Sequence, residues 1–426
     1  MYPEAEGESS RKGAAVLPWP LAPAVFPLYL EAFTEAEMHS APLLALRYRD
    51  ELLRNVIPFW LRHSLDRENG GYFTCLDRGG RVYDTDKFLW LQGRQVWTFA
   101  MLYDSVERRQ EWLEAALHGA RFLKEHGRDP DGNWYFSLTR EGRPLVQPYS
   151  IFADCFAAMG FARLGRITGD AEDARIALET FQSILRRREN PKGPYSKVVP
   201  GTRPLKGFAL PMIISNLALE IEPLLSREDL EKILRESMHE VMHVFRDPES
   251  GLVRENVDRG GGFSDSFEGR LLNPGHAIEA MWFMMECADR IGDQGAIRLA
   301  VECSLRTLEH GWDREFGGVF AFLDLRGAPP QQLEWDQKLW WVHLETLVAL
   351  LSGYARTKDE RCLAWFEKVH DYTWSHFPDP EYGEWYGYLN RRGEVLLPLK
   401  GGKWKGCFHL PRALVRCWRL LETLGA

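Results

Sequence analysis

The sequence predicts an all-α protein, an (α/α)6 barrel of six helix pairs with short β-hairpins on one face. Two observations predict this fold. A turn of the form Asp/Asn-x-x-x-Gly recurs six times, about 60 residues apart. Between successive turns lie apolar segments of helical period, two per interval. Composition agrees with a globular protein, with 426 residues, 45% hydrophobic residues and a formal net charge of −8.

The recurring turn predicts the hairpins. In each copy a glycine, which tolerates a positive φ, precedes aromatic or β-branched residues that favour a strand. The weakest copy, NPKGPYSKV, is expected to form a hairpin as the others do. The copies begin at Asp66, Asp129, Asn190, Asp247, Asp313 and Asp379.

The apolar periodicity predicts twelve helices, with ends placed to within about 4 residues. Six helix pairs can close into a barrel or extend as an open solenoid. The absence of polar capping repeats favours closure. The helices are expected at 42–63, 86–105, 107–126, 150–168, 171–187, 208–222, 226–245, 276–291, 294–310, 336–356, 359–376 and 409–424.

The chain is expected to comprise an irregular extension, residues 1–40, and one catalytic barrel domain, residues 41–426. Segment 14–33 is apolar, but its four prolines would break the helix of a signal peptide. No apolar run approaches the roughly 20 residues of a membrane span. Seven scattered cysteines without a CxxC motif predict reduced thiols in the cytoplasm. The negative charge disfavours a nucleic-acid partner.

Polar residues recur at the repeat spacing, near the start of every second helix. Because the inner helices of a barrel converge on one axis, the set predicts a lumenal site. Its members are His409, His343, His276, Asn216, Asp154 and Arg94.

One choice stays open at this stage. His343 and Glu345 are two residues apart on a predicted helix, so their side chains cannot both face the lumen squarely. Periodicity alone does not say which one does.

Two further motifs have simple interpretations. HEVMH at 239–243 matches HExxH, but it lies on an amphipathic helix without a clear third ligand, so a solvated outer face is expected and no metal. The loop KGGKWKG is glycine-rich and basic. Its lysines, Lys400, Lys403 and Lys405, are candidate ligands for a phosphate group.

Several long motifs in order carry a resemblance to a known family. They include GGYFTCLDRGGRVYDTDKFLWLQGRQVW (70–97), LLNPGHAIEAMWF (271–283), QLEWDQKLWWVHLETL (332–347) and KGGKWKGCFHLPR (400–412). Over roughly residues 45–424 the chain resembles the N-acylglucosamine 2-epimerase (renin-binding protein) family. The resemblance implies an (α/α)6 barrel, usually dimeric, that interconverts N-acetyl-D-glucosamine and N-acetyl-D-mannosamine. It also implies ATP as an effector that is not consumed.

The resemblance further implies site residues. The family's two catalytic histidines fall on His276 and His409, its arginine on Arg94 and its glutamate on Glu345. An imidazole pair suits removal and return of a proton at carbon 2 of the ring-opened sugar, because its pKa of about 6.5 lies near working pH. Further candidates for contacts with the sugar are Trp340, Trp385, Phe408, Asn216, Glu279 and Arg412.

Three alternatives remain. An aldose–ketose isomerase or a 2-epimerase of a free neutral sugar uses the same proton chemistry. An inverting glycosidase would use a carboxylate pair, for which Glu345 and Glu279 are the candidates. A purely protein-binding role would leave the two histidines without a task.

Overall fold

The computed structural model describes residues 41–199 and 201–424. The expectation for residues 1–40 lies outside the described residues and stays a prediction. Twelve long helices follow one another, and we number them in chain order: α1 (Ala41–Asp50, the π-helical segment Glu51–Val56 and Ile57–His63), α2 (Leu89–Ser105), α3 (Gln110–His126), α4 (Ile151–Thr168), α5 (Ala171–Arg187), α6 (Ala209–Glu220), α7 (Arg227–His239 and the π-helical segment Glu240–Val244), α8 (Pro274–Ile291), α9 (Gln294–Gly311), α10 (Trp340–Thr357), α11 (Glu360–His376) and α12 (His409–Leu424).

The even-numbered helices form the inner ring of an (α/α)6 barrel, and the odd-numbered helices form the outer ring. Inner helices are buried on most sides, whereas outer helices such as α5 bury one apolar stripe. Each inner helix packs against the next along the chain and against one outer helix. The predicted fold class and all twelve helices are confirmed.

The barrel closes where the two ends of the described chain meet. Helix α1 packs on α12, so the sixth pair combines the first and last helices. The hydroxyl of Thr98 donates a hydrogen bond to the carbonyl of Cys407 at 2.7 Å. The rings of Trp97 and Phe408 meet edge to face, with centroids 5.2 Å apart. These contacts join α2 to the start of α12, which excludes the open solenoid.

Short strands lie where the inner helices begin. Three local hairpins form, β1–β2, β4–β5 and β11–β12. The other pairs join the strand before an inner helix to the strand after the next outer helix. The strands are β1 (Cys75–Leu76), β2 (Val82–Asp84), β3 (Lys87–Phe88), β4 (Ser137–Leu138), β5 (Pro144–Val146), β6 (Leu205–Gly207), β7 (Asn256–Asp258), β8 (Leu271–Leu272), β9 (Leu323–Asp324), β10 (Lys338–Leu339), β11 (Tyr388–Leu389) and β12 (Val395–Leu397).

Two details differ from the sequence prediction. The turn at Asn190 is followed by a short 3-10 turn, Gly193–Tyr195, and within the described residues no bridge closes it, unlike the other five turns. Pro191 precedes the 3-10 turn and Pro194 lies within it. Both prolines lack the N–H group that a hairpin needs. Helices α2 and α10 begin later than predicted because β3 and β10 take up the preceding residues.

Buried ion pairs connect successive repeats. Asp313, in the turn after outer helix α9, binds the ammonium of Lys338 at 3.1 Å and the guanidinium of Arg391 at 2.9 Å. Burial would raise the pKa of Asp313, but these cations and backbone N–H groups lower it to about 2. Its contribution to stability is therefore present above its ordinary pKa and is lost as pH falls towards 2. Equivalent triads are Asp66 with Lys87 and Arg140, and Asp379 with Lys400 and Arg78.

The triad at Asp379 also closes the ring. Asp379 follows the last outer helix of the chain, α11, whereas Arg78 lies in the first hairpin. The same interaction that joins neighbouring repeats therefore joins the last turn to the first hairpin. Among the described helices, none combines the length and apolarity needed to cross a membrane.

We expect Asp313→Asn to lower the free energy of unfolding by about 3–5 kcal/mol, because it leaves the buried ammonium of Lys338 without a counter-charge. Urea denaturation measures this change. Asp129→Asn is the matched control, since Asp129 occupies the same turn position but accepts hydrogen bonds only from its own turn. The control should change stability by about 0.5 kcal/mol or less. Equal losses in both variants would contradict a special role for the buried pair.

Candidate active site

The first turns of the inner helices bring the predicted catalytic residues together. His409 opens α12, and its Nδ1 lies 2.7 Å from Oε1 of Glu345 on α10. The indole N–H of Trp282 donates to the other oxygen of that carboxylate at 2.9 Å. Within residues 41–199 and 201–424, Nε2 of His409 makes no hydrogen bond to protein. The carboxylate therefore fixes the ring through Nδ1 and leaves Nε2 available.

Arg412 compensates the buried carboxylates. Its Nη2 donates to Oε1 of Glu345 at 2.7 Å and also binds Glu279 on α8. Burial would raise the pKa of Glu345, but Arg412 and His409 lower it to about 2, so this carboxylate is ionised. Burial and the neighbouring Glu345 charge raise the pKa of Glu279. Burial lowers the pKa of His409 to about 3, which keeps its imidazole neutral.

His276 has a different carboxylate partner. It is the third residue of α8, and its Nδ1 lies 3.0 and 3.1 Å from the two carboxylate oxygens of Glu255. The side chain of Asn273 caps the backbone N–H of His276 at 3.1 Å. Burial acts to lower the pKa of His276, but the charge and hydrogen bond of Glu255 outweigh it and raise the pKa.

The indole of Trp341 lies close to both imidazoles. The ring centroid of Trp341 lies 5.4 Å from that of His276 and 5.6 Å from that of His409. Two imidazoles from different inner helices, each bound to a carboxylate through Nδ1, therefore face the same region of the lumen. The side chain of His276 is 28% exposed, so this region is open to small molecules on its side.

Arg94, the remaining predicted catalytic residue, packs its guanidinium against three aromatic rings. Its guanidinium carbon lies 3.9 Å from the ring centroid of Phe156, 4.5 Å from that of Trp90 and 4.6 Å from that of Phe408. Burial lowers its pKa to about 9, which leaves it charged near neutrality. Its buried Nε has no partner among the described residues. Because no described residue accepts a hydrogen bond from the Arg94 side chain, its guanidinium can bind a ligand with negative or carbonyl oxygens.

The structure also resolves the choice that periodicity left open. His343 is fully buried, accepts a hydrogen bond from the backbone N–H of Val319 at 3.0 Å and donates one to the carbonyl of Leu339 at 2.8 Å. Burial lowers its pKa to about 3. His343 thus anchors the turn after α9, whereas Glu345 faces the site.

Two expected sugar contacts, Trp340 and Phe408, lie in or beside the site. Trp340 lies edge-on to His409, with centroids 6.3 Å apart. Phe408 lies under the guanidinium groups of both Arg94 and Arg412, which makes it part of the wall. Asn216 is buried on inner helix α6, and within the described chain no hydrogen bond joins it to the histidines.

Two other expectations need correction. Trp385 is fully buried, and its indole N–H donates to Glu51 at 2.7 Å, so it stabilises the contact between α1 and the turn after α11 rather than binding a sugar. Arg412 is 2% exposed, and its Nη2 is committed to two carboxylates. We therefore regard Arg412 as a group that positions the carboxylates.

The basic loop does not fit a phosphate site. The ammonium of Lys400 is buried on Asp379 at 2.8 Å, and that of Lys405 is buried on Glu384 at 2.6 Å. Lys403 is exposed and lies over the ring of Trp404 at 5.0 Å. One exposed lysine is too little positive charge to hold a nucleotide triphosphate, so the expectation of a nucleotide on these three residues is not supported.

A metal ion does not fit the site either. Within the part of the chain that the structure describes, Glu279, Glu345 and His409 are the one group of three or more acidic, histidine or cysteine residues with ligand atoms within 4.8 Å of one another. Arg412 already supplies the positive charge by binding both carboxylates. In the HExxH match, Glu240 is bound to Lys206 at 2.6 Å, which agrees with an outer helix face.

Sequence reasoning missed Glu255, Trp341 and Trp282. Glu255 is the penultimate residue of the turn motif RDPESGLVREN (246–256), so its position in a repeated motif was the available signal. Trp341 adjoins the predicted Trp340, and only the observed helix orientation distinguishes the two. Trp282 lies in an apolar helix and gave no polar signal.

The fold and the site define a class, an acid–base enzyme with a helical barrel and two carboxylate-bound histidines. Residues 71–413 match the family model described as N-acylglucosamine 2-epimerase (GlcNAc 2-epimerase). The chain is 43% identical to N-acylglucosamine 2-epimerase from Bos taurus over 383 residues, which cover 87% of this chain and 90% of that protein. The chain belongs to the N-acylglucosamine 2-epimerase family, and it is an isomerase.

Solved structures agree on the fold. The cellobiose 2-epimerase of Bacillus thermoamylovorans superposes with a TM-score of 0.77 at 21% identity, covering 89% of this chain and 99% of that one. A D-mannose isomerase superposes with a TM-score of 0.76 at 18% identity, covering 89% and 98%. These two similarities establish the barrel and carry no information on the substrate of this chain.

We expect His343 and His409 to stay neutral between pH 5 and 8, because burial lowers the pKa of each to about 3. NMR titration of the imidazole carbon-bound protons, assigned with His→Asn variants, measures this. His243 provides the comparison: partial burial and the neighbouring His239 lower its pKa, but its ring is exposed, so its resonance should titrate at higher pH than that of His409. Titration of the His409 resonance near pH 6.5 would contradict the described burial.

Proposed function

We propose that this protein interconverts N-acetyl-D-glucosamine and N-acetyl-D-mannosamine by removing and returning a proton at carbon 2. The observation that carries the proposal is the pair His276 and His409, held by separate carboxylates and both in contact with the ring of Trp341. The 43% identity to a mammalian enzyme named for this reaction supports the substrate.

The chemistry requires two groups on opposite faces of one carbon. The cyclic sugar hides its carbonyl, so the ring opens first and makes the hydrogen at carbon 2 acidic. A base then removes this proton and leaves an enolate, and an acid returns a proton to the other face. Two imidazoles on different inner helices can reach both faces, which one helix could not provide.

Each site residue has a role in this scheme. Neutral His409 is suited to accept a proton, and ionised Glu345 stabilises the imidazolium that forms. His276 is suited to donate. The guanidinium of Arg94, whose Nε has no partner among the described residues, would stabilise the oxyanion of the enolate. Because only protons move, the reaction needs no redox cofactor.

The geometry argues against the glycosidase alternative. Inverting glycosidases hold their carboxyl groups roughly 6.5–9.5 Å apart to admit a water molecule. Here one guanidinium nitrogen of Arg412 binds both Glu279 and Glu345.

The alternative that remains is proton transfer on a free neutral sugar, as a 2-epimerase or an aldose–ketose isomerase. Parallel assays with N-acetylglucosamine, mannose and cellobiose distinguish these substrates.

We expect N-acetylglucosamine incubated in D₂O with the enzyme to yield N-acetylmannosamine with deuterium at carbon 2, because solvent exchanges with the imidazole protons. Proton NMR of the product measures the label. Product formed with protium at carbon 2 would contradict exchange through these histidines. Absence of product from this substrate would exclude the proposed reaction.

We expect His409→Asn to lower kcat by about 10²–10⁴-fold, the usual contribution of a positioned proton-transfer group. Thermal unfolding should show that the variant keeps its fold. His243→Asn is the matched control, since His243 is exposed on outer helix α7 and should keep full turnover. Wild-type turnover by the His409→Asn variant would contradict the assignment of His409 as a proton-transfer group.

Three further proposals extend this function. The protein is a homodimer, ATP modulates it without being consumed, and it works in the cytoplasm. The seven cysteines are all buried free thiols, which supports a reducing compartment. The family resemblance supports the first two. Sedimentation tests the dimer, and the change in epimerisation rate on adding ATP, with ADP release measured alongside, tests the effector.

A further inference from the structure

Glu255 occupies a fixed position beside His276. Its backbone N–H donates to the carbonyl of Leu271 in β8, and its carbonyl accepts from the N–H of Phe208, which follows β6, both at 2.9 Å. These two backbone hydrogen bonds hold Glu255 between β8 and the residue that follows β6. Its side chain is 14% exposed and turns both carboxylate oxygens to Nδ1 of His276.

The two histidines differ in how their carboxylates are compensated. Glu345, the partner of His409, also binds Arg412 and Trp282, so its negative charge is shared with a cation. For the Glu255 carboxylate, the hydrogen bonds found within the described residues go to His276 alone. The full negative charge of Glu255 therefore acts on the imidazole of His276.

Other charges around His276 offset this one only in part. Glu279 lies one turn further along α8 and favours the imidazolium, but Arg412 already binds it. Arg94 on α2 disfavours the imidazolium. From α10 the residue that faces the ring is Trp341, which is uncharged. Glu255 is thus the nearby carboxylate that no arginine or lysine neutralises.

We infer that Glu255 is a positioning residue that keeps His276 protonated in the resting enzyme, so that His409 takes the first proton and His276 returns one. This inference rests on the proposed function. The C2–H bond breaks, its proton goes to Nε2 of His409, and its electron pair forms the carbon–carbon double bond of the enolate, whose charge lies on the carbon 1 oxygen. Carbon 2 of the enolate then takes the proton of His276 Nε2 on its opposite face, and the carbon 1 carbonyl forms again.

One consequence concerns the cycle. After a turnover His409 carries a proton and His276 does not, so the pair is in the reverse of its resting state. Glu255 favours the return of a proton from solvent to His276. The resting enzyme is therefore prepared for the epimer whose carbon 2 hydrogen faces His409.

We expect Glu255→Gln to lower the NMR titration midpoint of His276 by about 1 pH unit or more, since an opposite charge at this distance shifts a pKa by about 1–3 units. The alkaline limb of the kcat/KM profile should move down by the same amount, while the acid limb stays in place. Glu255→Asp, which keeps the charge, should restore part of the shift. Glu240→Gln, which alters a surface ion pair on α7, is the control and should leave both midpoints unchanged.

The outcomes separate this inference from the proposed function. A wild-type enzyme that does not epimerise N-acetylglucosamine would overturn the function, yet the titration of His276 would still test Glu255. An active wild-type enzyme with an unchanged His276 midpoint in Glu255→Gln would overturn the inference alone. If Glu255→Gln does not fold, the wild-type titration decides, because a His276 midpoint below its ordinary value of about 6.5 contradicts the inference.

Discussion

A buried carboxylate held by a lysine is the interaction on which the barrel depends. In three of the repeats, an aspartate after an outer helix binds a lysine that lies shortly before the next inner helix. Both groups are almost fully removed from water, so either one alone would carry a large desolvation cost. The pair therefore fixes where one repeat ends relative to the start of the next. The last of these pairs reaches Arg78 and closes the ring.

The site follows from this constraint. The pairs fix the entries of α2, α10 and α12, the side chain of Asn273 caps the start of α8, and the first turns of these helices meet at one end of the lumen. His276, Glu345 and His409 all lie within the first six residues of their helices. The two imidazoles are then made unequal by their surroundings. One carboxylate is neutralised by Arg412, whereas Glu255 comes from a loop held between two strands.

The sequence predicts the repeats and the periodic polar residues because both are recorded in spacing along the chain. His276, His409 and Arg94 are found in this way, and the family motifs select Glu345 over His343. Side chains from loops are not recorded in spacing, so Glu255 was missed. Adjacent indoles such as Trp340 and Trp341 point about 100° apart on a helix, and period alone does not resolve them. Trp385 was misplaced because an aromatic residue suits a core as well as a sugar site.

Arg94 shows how the site is matched to the reaction rather than to the sugar. Burying a guanidinium without hydrogen-bond partners is costly, and three aromatic rings offset only part of that cost, at about 0.5–2 kcal/mol each. A neutral hydroxyl would satisfy these donors weakly. The enolate carries a full negative charge on oxygen, so it gains more from the same cation than the ground-state sugar does. An interaction that strengthens as charge develops on the sugar lowers the barrier to proton removal. The guanidinium of Arg94 is suited to such an interaction.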